Sequence, residues 1–434
     1  MPMPVKSLPV LQRWDCRGCG DCCKTYHVRV SDAERARLAA MDWRADPDMT
    51  GVDPVVWDKH LGDYRLNHTA DGTCVFYGPD GRCRIHAKFG AAAKPMACRI
   101  YPFALAPAGD HWRVGIRFAC PSAAANAGRP LPDHATDLRE YAGLLEADAE
   151  CSPLAPRAGS EDRSRSERTT VPPPELKPGQ AVGWPDLLRF VKVIGDVLAE
   201  PGTPIDYRLR KVIALASLCR RSRFETVTGP RLKEFLEVVT AALDDDVVAR
   251  AEDVPPPGWV GRTIFRQALM VYCRHDHGPT SGIARTGRLT RFKSAWRFAR
   301  GTGAVPKLHG LLPATTFAAA ERPAGPLSKE SDALLTRYYR VKVESLQFCG
   351  AVNFHRTFWD GLDSLLLTFP AILWLGRVLT TADRPRDKAV GLAVRIVDDH
   401  FGFNKLLGSG RQLWATRILA DRGELAKLIA WYAR

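Results

Sequence analysis

Helical spacing of apolar residues dominates the chain from residue 181 onward. Apolar side chains recur every three or four positions, the period that buries one face of an α-helix. The spacing predicts helices over residues 185–200, 208–219, 231–242, 262–274, 331–349, 358–379, 385–400 and 412–432. Ser331 is the expected N-cap of the fifth helix and Gly350 its expected stop. Residues 181–434 are therefore predicted to form an all-α domain.

The first 150 residues show a different pattern, with many turn residues and few helical periods. Short helices are expected over 31–41, where Ser31 and Glu34 form a capping box, and over 137–149. Residues 73–77 and 82–85 are predicted to be short strands of a hairpin joined by the turn 78–81, with Tyr77 opposite Arg82. The fold class expected is mainly α, with an irregular α+β N-terminal domain that contains a small hairpin.

Composition separates the same two parts. The chain has 434 residues, 45% apolar and 25% charged, as in an ordinary globular protein. Eight of its 12 cysteines lie within residues 16–120, whereas the whole net charge of +14 lies in residues 151–434. The stretch 152–180 is rich in Pro, Ser and charge and has no apolar period, which is typical of a linker. We therefore expect a cysteine-rich domain over 1–150, a linker over 151–180 and a basic helical domain over 181–434.

The densest chemical signal is the run Cys16-Arg-Gly-Cys19-Gly-Asp-Cys22-Cys23. A spacing of two residues lets a tight turn direct two sulfurs at one metal, and Gly18 and Gly20 allow the positive φ values of such turns. Four thiolates so close would repel one another unless a cation neutralised them. The N-terminus has no apolar leader, so a cytoplasmic location with reduced thiols is expected. A metal or redox site is then favoured over a disulfide framework or inert thiols.

The remaining N-terminal cysteines lie in GTCVFYGPDGRCRIH, PMACRIYPF and CP. In this order the four motifs resemble the YkgJ-type cysteine-cluster family, which is described as a zinc- or iron-chelating domain. The resemblance spans residues 16–121, with mild departures at His86 and Lys94. It implies metal-binding sulfurs at Cys16, Cys19, Cys22, Cys23, Cys74, Cys83, Cys98 and Cys120.

The overall layout is also similar to that of flagellin lysine-N-methylases, which join a cysteine cluster to a long helical region. Residues 337–379 resemble their helical part. This similarity implies an iron–sulfur enzyme that transfers a methyl group from S-adenosylmethionine to a lysine of a protein such as flagellin. The usual radical motif C-x3-C-x2-C is incomplete, because Tyr26 follows Cys19 and Cys23 where its third cysteine would lie. No glycine-rich cofactor loop is visible either, so the catalytic and cofactor-binding residues are unknown.

The eight thiols suit two four-cysteine sites, or one site with spare thiols. Zinc prefers four ligands and often uses paired C-x2-C units. The run Cys16, Cys19 and Cys22 with the remote Cys120-Pro121 is close to the ferredoxin pattern, which favours a [4Fe–4S] cluster over zinc. Three functions stay open: a methylase-like enzyme, a non-catalytic zinc- or iron-chelating or metal-sensing module, and a thiol redox protein using Cys22 and Cys23.

A basic segment, Arg285 to Arg300, has the sequence RTGRLTRFKSAWRFAR, with six basic residues and no acid. On a helix Leu289, Phe292 and Trp296 would share one face. This face is either a docking surface for an acidic protein, a nucleic acid or an anionic membrane, or part of the core. The core interpretation is the more common one. Without a membrane-spanning segment or a nucleic-acid module, we expect no membrane partner and no nucleic acid.

Overall fold

The computed structural model describes residues 3–6, 11–43, 46–59, 62–147, 171–224, 226–275, 282 and 287–434. The fold is mainly α, with a small N-terminal sheet region followed by a helical C-terminal part. The predicted fold class is confirmed. The predicted division into two domains and a linker stays a prediction, and residues 148–170 lie outside the described residues.

Short strands and helices alternate in the N-terminal part. The strands are β1 (Val5–Lys6), β2 (Arg13–Trp14), β3 (Val55–Asp58), β4 (Asp63–Leu66), β5 (Phe103–Ala108), β6 (His111–Ile116) and β7 (Arg129–Pro130). The helices are α1 (Asp21–Thr25), α2 (Asp32–Ala39), α3 (Arg84–Phe89), α4 (Met96–Ile100), α5 (Pro121–Ala124) and α6 (Ala135–Ala147). The antiparallel pair β5–β6 and the parallel β1 form a three-stranded sheet in the order β1-β6-β5, while β2–β7 and β3–β4 are separate antiparallel pairs.

The C-terminal part consists of helices joined by turns and loops. They are α7 (Trp184–Ala199), α8 (Ile205–Arg221), α9 (Gly229–Asp246), α10 (Trp259–Tyr272), α11 (Arg288–Arg300), α12 (Phe317–Ala320), α13 (Lys329–Glu344), α14 (Phe358–Leu366), α15 (Thr368–Leu379), α16 (Arg386–His400), α17 (Gly410–Asp421) and α18 (Glu424–Ala433). We call α7–α18 the helical body.

Three of the predicted helices are wrong in their extent. The expected helix over 358–379 ends at Leu366 and restarts, so that Pro370 lies in the first turn of α15, where its missing N–H costs no helical hydrogen bond. The helix over 412–432 is divided by Gly423, whose φ of 67° ends α17. Helix α13 is capped by Ser328, whose side chain accepts the N–H of Ser331, and it ends at Glu344.

The segment Phe358–Leu379 is the one stretch of the described residues that is long and apolar enough to cross a membrane. However, 94% of its most apolar window is buried inside the protein. Phe369 and Trp374, for example, have no exposed surface. The segment therefore packs as a core helix pair of the helical body.

Buried apolar residues form two separate cores. The larger one fills the helical body and extends to the three-stranded sheet and α6, with Trp112 and Leu138 fully buried. The smaller one lies within residues 21–100, which we call the cysteine lobe. Its buried members are Val30, Leu38, Met49, Leu66, Cys74, Phe76 and Ile85. Of the predicted metal-binding cysteines, Cys74 belongs to the smaller core and Cys23, Cys83 and Cys98 pack against it, whereas Cys120 belongs to the larger core.

Candidate metal centre

The first cysteine motif folds as a turn followed by the one-and-a-half-turn helix α1, which carries Cys22 and Cys23. Gly18 and Gly20 have φ values of 66° and 68°, which confirms the predicted positive-φ turns. A Cβ atom on Gly20 would lie 2.2 Å from the ring of Tyr77. Glycine is therefore required here both by the backbone angle and by the close approach of the segment that carries Cys74 and Cys83.

The turn over residues 78–81 forms as predicted, but the hairpin does not. Tyr77 pairs with Cys83 rather than with Arg82, and this pairing is an isolated bridge. After one more hydrogen bond, from the N–H of Arg84 to the carbonyl of Phe76 (2.7 Å), the chain enters α3. The physical reason is tertiary: a helix buries Ile85 in the small core while Arg84 pairs with Asp46.

Helix α4 carries Cys98 and is positioned by the capping box of α2. Ser31 accepts the N–H of Glu34, and Glu34 Oε2 accepts the N–H of Ser31, which confirms the predicted box. The other carboxylate oxygen, Oε1, accepts the N–H of Met96 at 2.7 Å. One side chain thus caps α2 and fixes the start of the helix that presents Cys98.

Four cysteines from separate segments lie near one another in the cysteine lobe. Burial raises the pKa of the Cys74 thiol to about 12, and the neighbouring Cys98, Cys83 and Cys22 add to the effect. Burial likewise raises the pKa of Cys98 to about 12, with contributions from Cys22 and Cys83 and opposition from Lys94. The pKa of Cys22 is raised above its usual range by a hydrogen bond to Cys23 and by burial. We call Cys22, Cys74, Cys83 and Cys98 the sulfur cluster.

The other predicted ligands lie outside the sulfur cluster. Cys16 and Cys19 are exposed, and Cys120 is buried at the start of α5. Cys23 packs against the small core, and its carbonyl accepts the N–H of Cys74 at 2.8 Å. Burial raises the pKa of Cys120, backbone hydrogen bonds from Ala123 and Ser122 lower it, and the charge of Cys19 raises it further. The structure therefore brings Cys19 near Cys120, whereas Cys22 belongs to the sulfur cluster. Whether all eight cysteines bind metal stays a prediction.

The donor set of the sulfur cluster fits zinc or iron. Thiolates are soft ligands for both metals. Four of them bind one zinc ion in a tetrathiolate site, and four of them hold a [4Fe–4S] cluster. Among the described residues, no three or more His, Cys, Asp or Glu side chains already converge in an arrangement that could hold a metal ion. Metal binding by the cluster would consequently require these side chains to move closer together.

Helix α16 of the helical body contacts two of the cysteine-bearing segments, α1 and the chain next to Cys120. The sequence pattern did not predict these contacts. Arg395 pairs with Asp21, the first residue of α1, at 2.7 Å. The carboxylate of Asp398 accepts the N–H of Ala119, next to Cys120, at 3.0 Å and lies 2.6 Å from the buried Nζ of Lys342. The helical body therefore positions α1 and the chain around Cys120.

The next residue, Asp399, organises a second buried contact. Its carboxylate accepts a hydrogen bond from the Tyr26 hydroxyl at 2.7 Å and pairs with Arg117 at 3.0 Å. The Arg117 guanidinium lies 3.8 Å from the centre of the Phe403 ring and 5.1 Å from that of Tyr26. Burial raises the pKa of Asp399, but the charges of Arg117, His400 and His275 and the hydrogen bond from Tyr26 together outweigh it, so the pKa is lowered.

A sequence signal for these contacts does exist. Asp398 and Asp399 occupy the last turn of a helix, where the helix dipole disfavours negative charge. Two carboxylates in that position indicate partners elsewhere in the fold. The sequence does not say which partners, because Ala119, Arg117 and Lys342 are distant along the chain.

Comparison with known proteins supports the metal-binding interpretation of the N-terminal part. Residues 15–121 match the model of the CxxCxxCC family, described as "Putative zinc- or iron-chelating domain". All eight predicted ligands fall within this match, so the family resemblance inferred from the motifs is confirmed over these residues. Neither the curated proteins nor the solved structures provide a match. The similarity to flagellin lysine-N-methylases stays a prediction.

Proposed function

We propose that the cysteine lobe binds a structural metal centre, either zinc or a [4Fe–4S] cluster, through the sulfur cluster. The observation that carries the proposal is that Cys83 and Cys98 pack against the same small core as the buried Cys74, with Cys22 close enough to raise the pKa of both Cys74 and Cys98. Sulfurs are brought together in this way around a core of only a few apolar residues. A metal-binding role for this part agrees with the family match.

Two electrostatic features of the sulfur cluster bear on the binding of a cation. Burial keeps the thiols of Cys74 and Cys98 protonated in the absence of a cation, because it disfavours the thiolate, and the charge of neighbouring sulfurs adds to this effect. Lys94 lowers the pKa of Cys22 and Cys98 and so offsets part of this effect. When bound, the metal would supply the positive charge that balances the thiolates and would contribute to folding of the lobe.

Anaerobic purification followed by metal analysis and a visible spectrum tests the proposal. Zinc without a visible charge-transfer band identifies a zinc site, whereas iron and acid-labile sulfide with such a band identify a cluster. Full-length protein with neither metal, even after reconstitution with zinc or with iron and sulfide, would contradict the proposal.

The ligand set is tested by matched alanine variants. Cys83→Ala and Cys98→Ala are expected to lose the metal, because each removes a sulfur of the cluster. Cys219→Ala and Cys349→Ala, in the core of the helical body, are expected to retain it. Equal metal content in all four variants would refute the assignment.

Methyl transfer from S-adenosylmethionine to a protein lysine stays a prediction of the layout similarity. It requires that the metal-loaded protein bind S-adenosylmethionine. Isothermal titration of the loaded protein with S-adenosylmethionine checks this, and a flat titration would leave metal binding as the function of the chain.

A further inference from the structure

Within the basic segment, residues Arg288–Arg300 form α11, whose solvent face is apolar, while residues 285–286 lie outside the described residues. In α11 the side chains of Leu289, Phe292 and Trp296 are 77%, 69% and 57% exposed. Their spacing of i, i+3 and i+7 places them on one face. The expectation that they belong to the core is therefore wrong. The core contact is made instead by the opposite face, where Phe298 is fully buried against Phe317 and Trp374.

Positive charge lies directly beside this apolar face. Lys293, Arg297 and Arg300 are exposed, and the Arg300 guanidinium lies 5.9 Å from the centre of the Trp296 ring. The whole segment 285–300 contains no carboxylate. Helix α11 thus presents three large apolar side chains and adjacent cations to solvent, which we call the α11 face.

The helix is held in place without the α11 face. Besides Phe298, the buried Ser294 lies on the inner side, and Gln267 of α10 donates a hydrogen bond to the carbonyl of Ala295 at 2.9 Å. A ligand of the α11 face would therefore meet a helix that is already formed. It would not have to supply the free energy of helix formation.

We propose that the α11 face docks on the surface of an anionic phospholipid bilayer. Trp, Phe and Leu side chains on one helix face enter the boundary between headgroups and acyl chains, while neighbouring Lys and Arg side chains approach the phosphates. Such an interface needs matching charge and apolarity but no shaped groove. This proposal replaces the expectation of no membrane partner, which rested on the lack of a spanning segment.

Vesicle sedimentation with the full-length protein tests the proposal. The probes are vesicles of phosphatidylcholine alone and of phosphatidylcholine with phosphatidylglycerol. We expect partitioning into the anionic vesicles only, and a decrease with added salt. The combined variant Leu289→Ser, Phe292→Ser, Trp296→Ser should lower the partition coefficient by about tenfold or more. The variant Lys293→Gln, Arg297→Gln, Arg300→Gln should lower it by about 100-fold.

A matched control removes an exposed tryptophan from another surface. Trp57→Ser, in the cysteine lobe, takes away a side chain that is 54% exposed and should leave partitioning unchanged. Circular dichroism and the melting temperature establish that each variant is folded. No partitioning of the wild-type protein at low salt, or equal partitioning of all variants, would overturn the proposal. Binding of a short oligonucleotide through the α11 face without vesicle binding would overturn it as well.

Discussion

The cysteine lobe and the helical body are stabilised in different ways. The lobe has a core of seven buried apolar residues, one of them a cysteine. The helical body buries aromatic and aliphatic side chains across most of its helices. A core as small as that of the lobe rarely supplies enough free energy to fold a segment by apolar burial alone. We therefore expect the proposed metal centre to stabilise the lobe, and we expect the body to be stable without it.

Polar contacts join the two regions rather than separating them. Arg395 of α16 pairs with Asp21 of the lobe, and Asp399 of α16 accepts a hydrogen bond from Tyr26 of the lobe. A change in the lobe can therefore reach the body through one helix. The predictions below separate effects confined to one region from effects shared by both.

The largest expected effect is that of metal removal, and it should be confined to the lobe. Chelation should reduce hydrogen-exchange protection in residues 21–100 by an amount equivalent to about 10 kcal/mol, the scale of structural metal binding. Protection in α14 and α15 should remain. Hydrogen-exchange mass spectrometry of the metal-loaded and chelated protein measures both. A uniform loss of protection across the chain would show that the body also depends on the metal.

A large effect is also expected at the buried ion pair between Lys342 and Asp398, both of which are almost completely inaccessible to solvent. Asp398→Asn leaves the Lys342 charge without its partner and should cost about 3–5 kcal/mol in the free energy of unfolding. Denaturant unfolding measures it. As a control, Lys192→Met breaks the exposed pair with Asp196 and should cost less than about 1 kcal/mol. Similar costs for the two variants would contradict the prediction.

An intermediate effect is expected from acid. Burial, with the charges of His275 and His400, lowers the pKa of His309 to about 3, against an ordinary value of 6.5. His309 is then neutral in the fold, and its Nδ1 accepts the N–H of Leu311. The unfolded chain gains a proton below pH 6.5, so stability falls as pH decreases from 6.5 towards 3. The loss should reach about 2 kcal/mol at pH 5.

Denaturant unfolding at pH 7 and pH 5 checks this prediction. His309→Gln should weaken the pH dependence, because glutamine keeps a hydrogen-bond acceptor but does not titrate. His86→Gln, at an exposed position on α3, should leave the dependence as it is. If the free energy of unfolding of His309→Gln changed with pH as much as that of the wild-type protein, another group would be responsible for the acid sensitivity.

The smallest expected effects are those of two helix caps, one in each region. Ser31→Ala removes the cap of α2, and Ser328→Ala removes the cap of α13; each should cost about 1 kcal/mol. The cost of Ser31→Ala should be seen only as faster local hydrogen exchange in the lobe. The cost of Ser328→Ala should be seen as a lower global free energy of unfolding. If both variants acted globally, the two regions would unfold as one unit.

Local patterns in the sequence were sufficient for part of this structure. The helical period predicted most helices of the body, and the Ser31–Glu34 spacing predicted a capping box, because both depend on residues within a few positions of one another. The prediction of a hairpin at residues 73–85 was wrong because that segment is determined by contacts with residues far away in the chain. Its apparent second strand becomes α3, since Arg84 pairs with Asp46 and Ile85 enters the small core.

The sequence by itself determined the fold class, the kind of donor atom and the positive charge of the helical part. These follow from residue identity and from short-range spacing. Only the tertiary structure decided that Cys22 lies with Cys74, Cys83 and Cys98, and that the apolar face of α11 points to solvent. Those outcomes depend on contacts between segments far apart in the chain, whose free energies no local pattern contains.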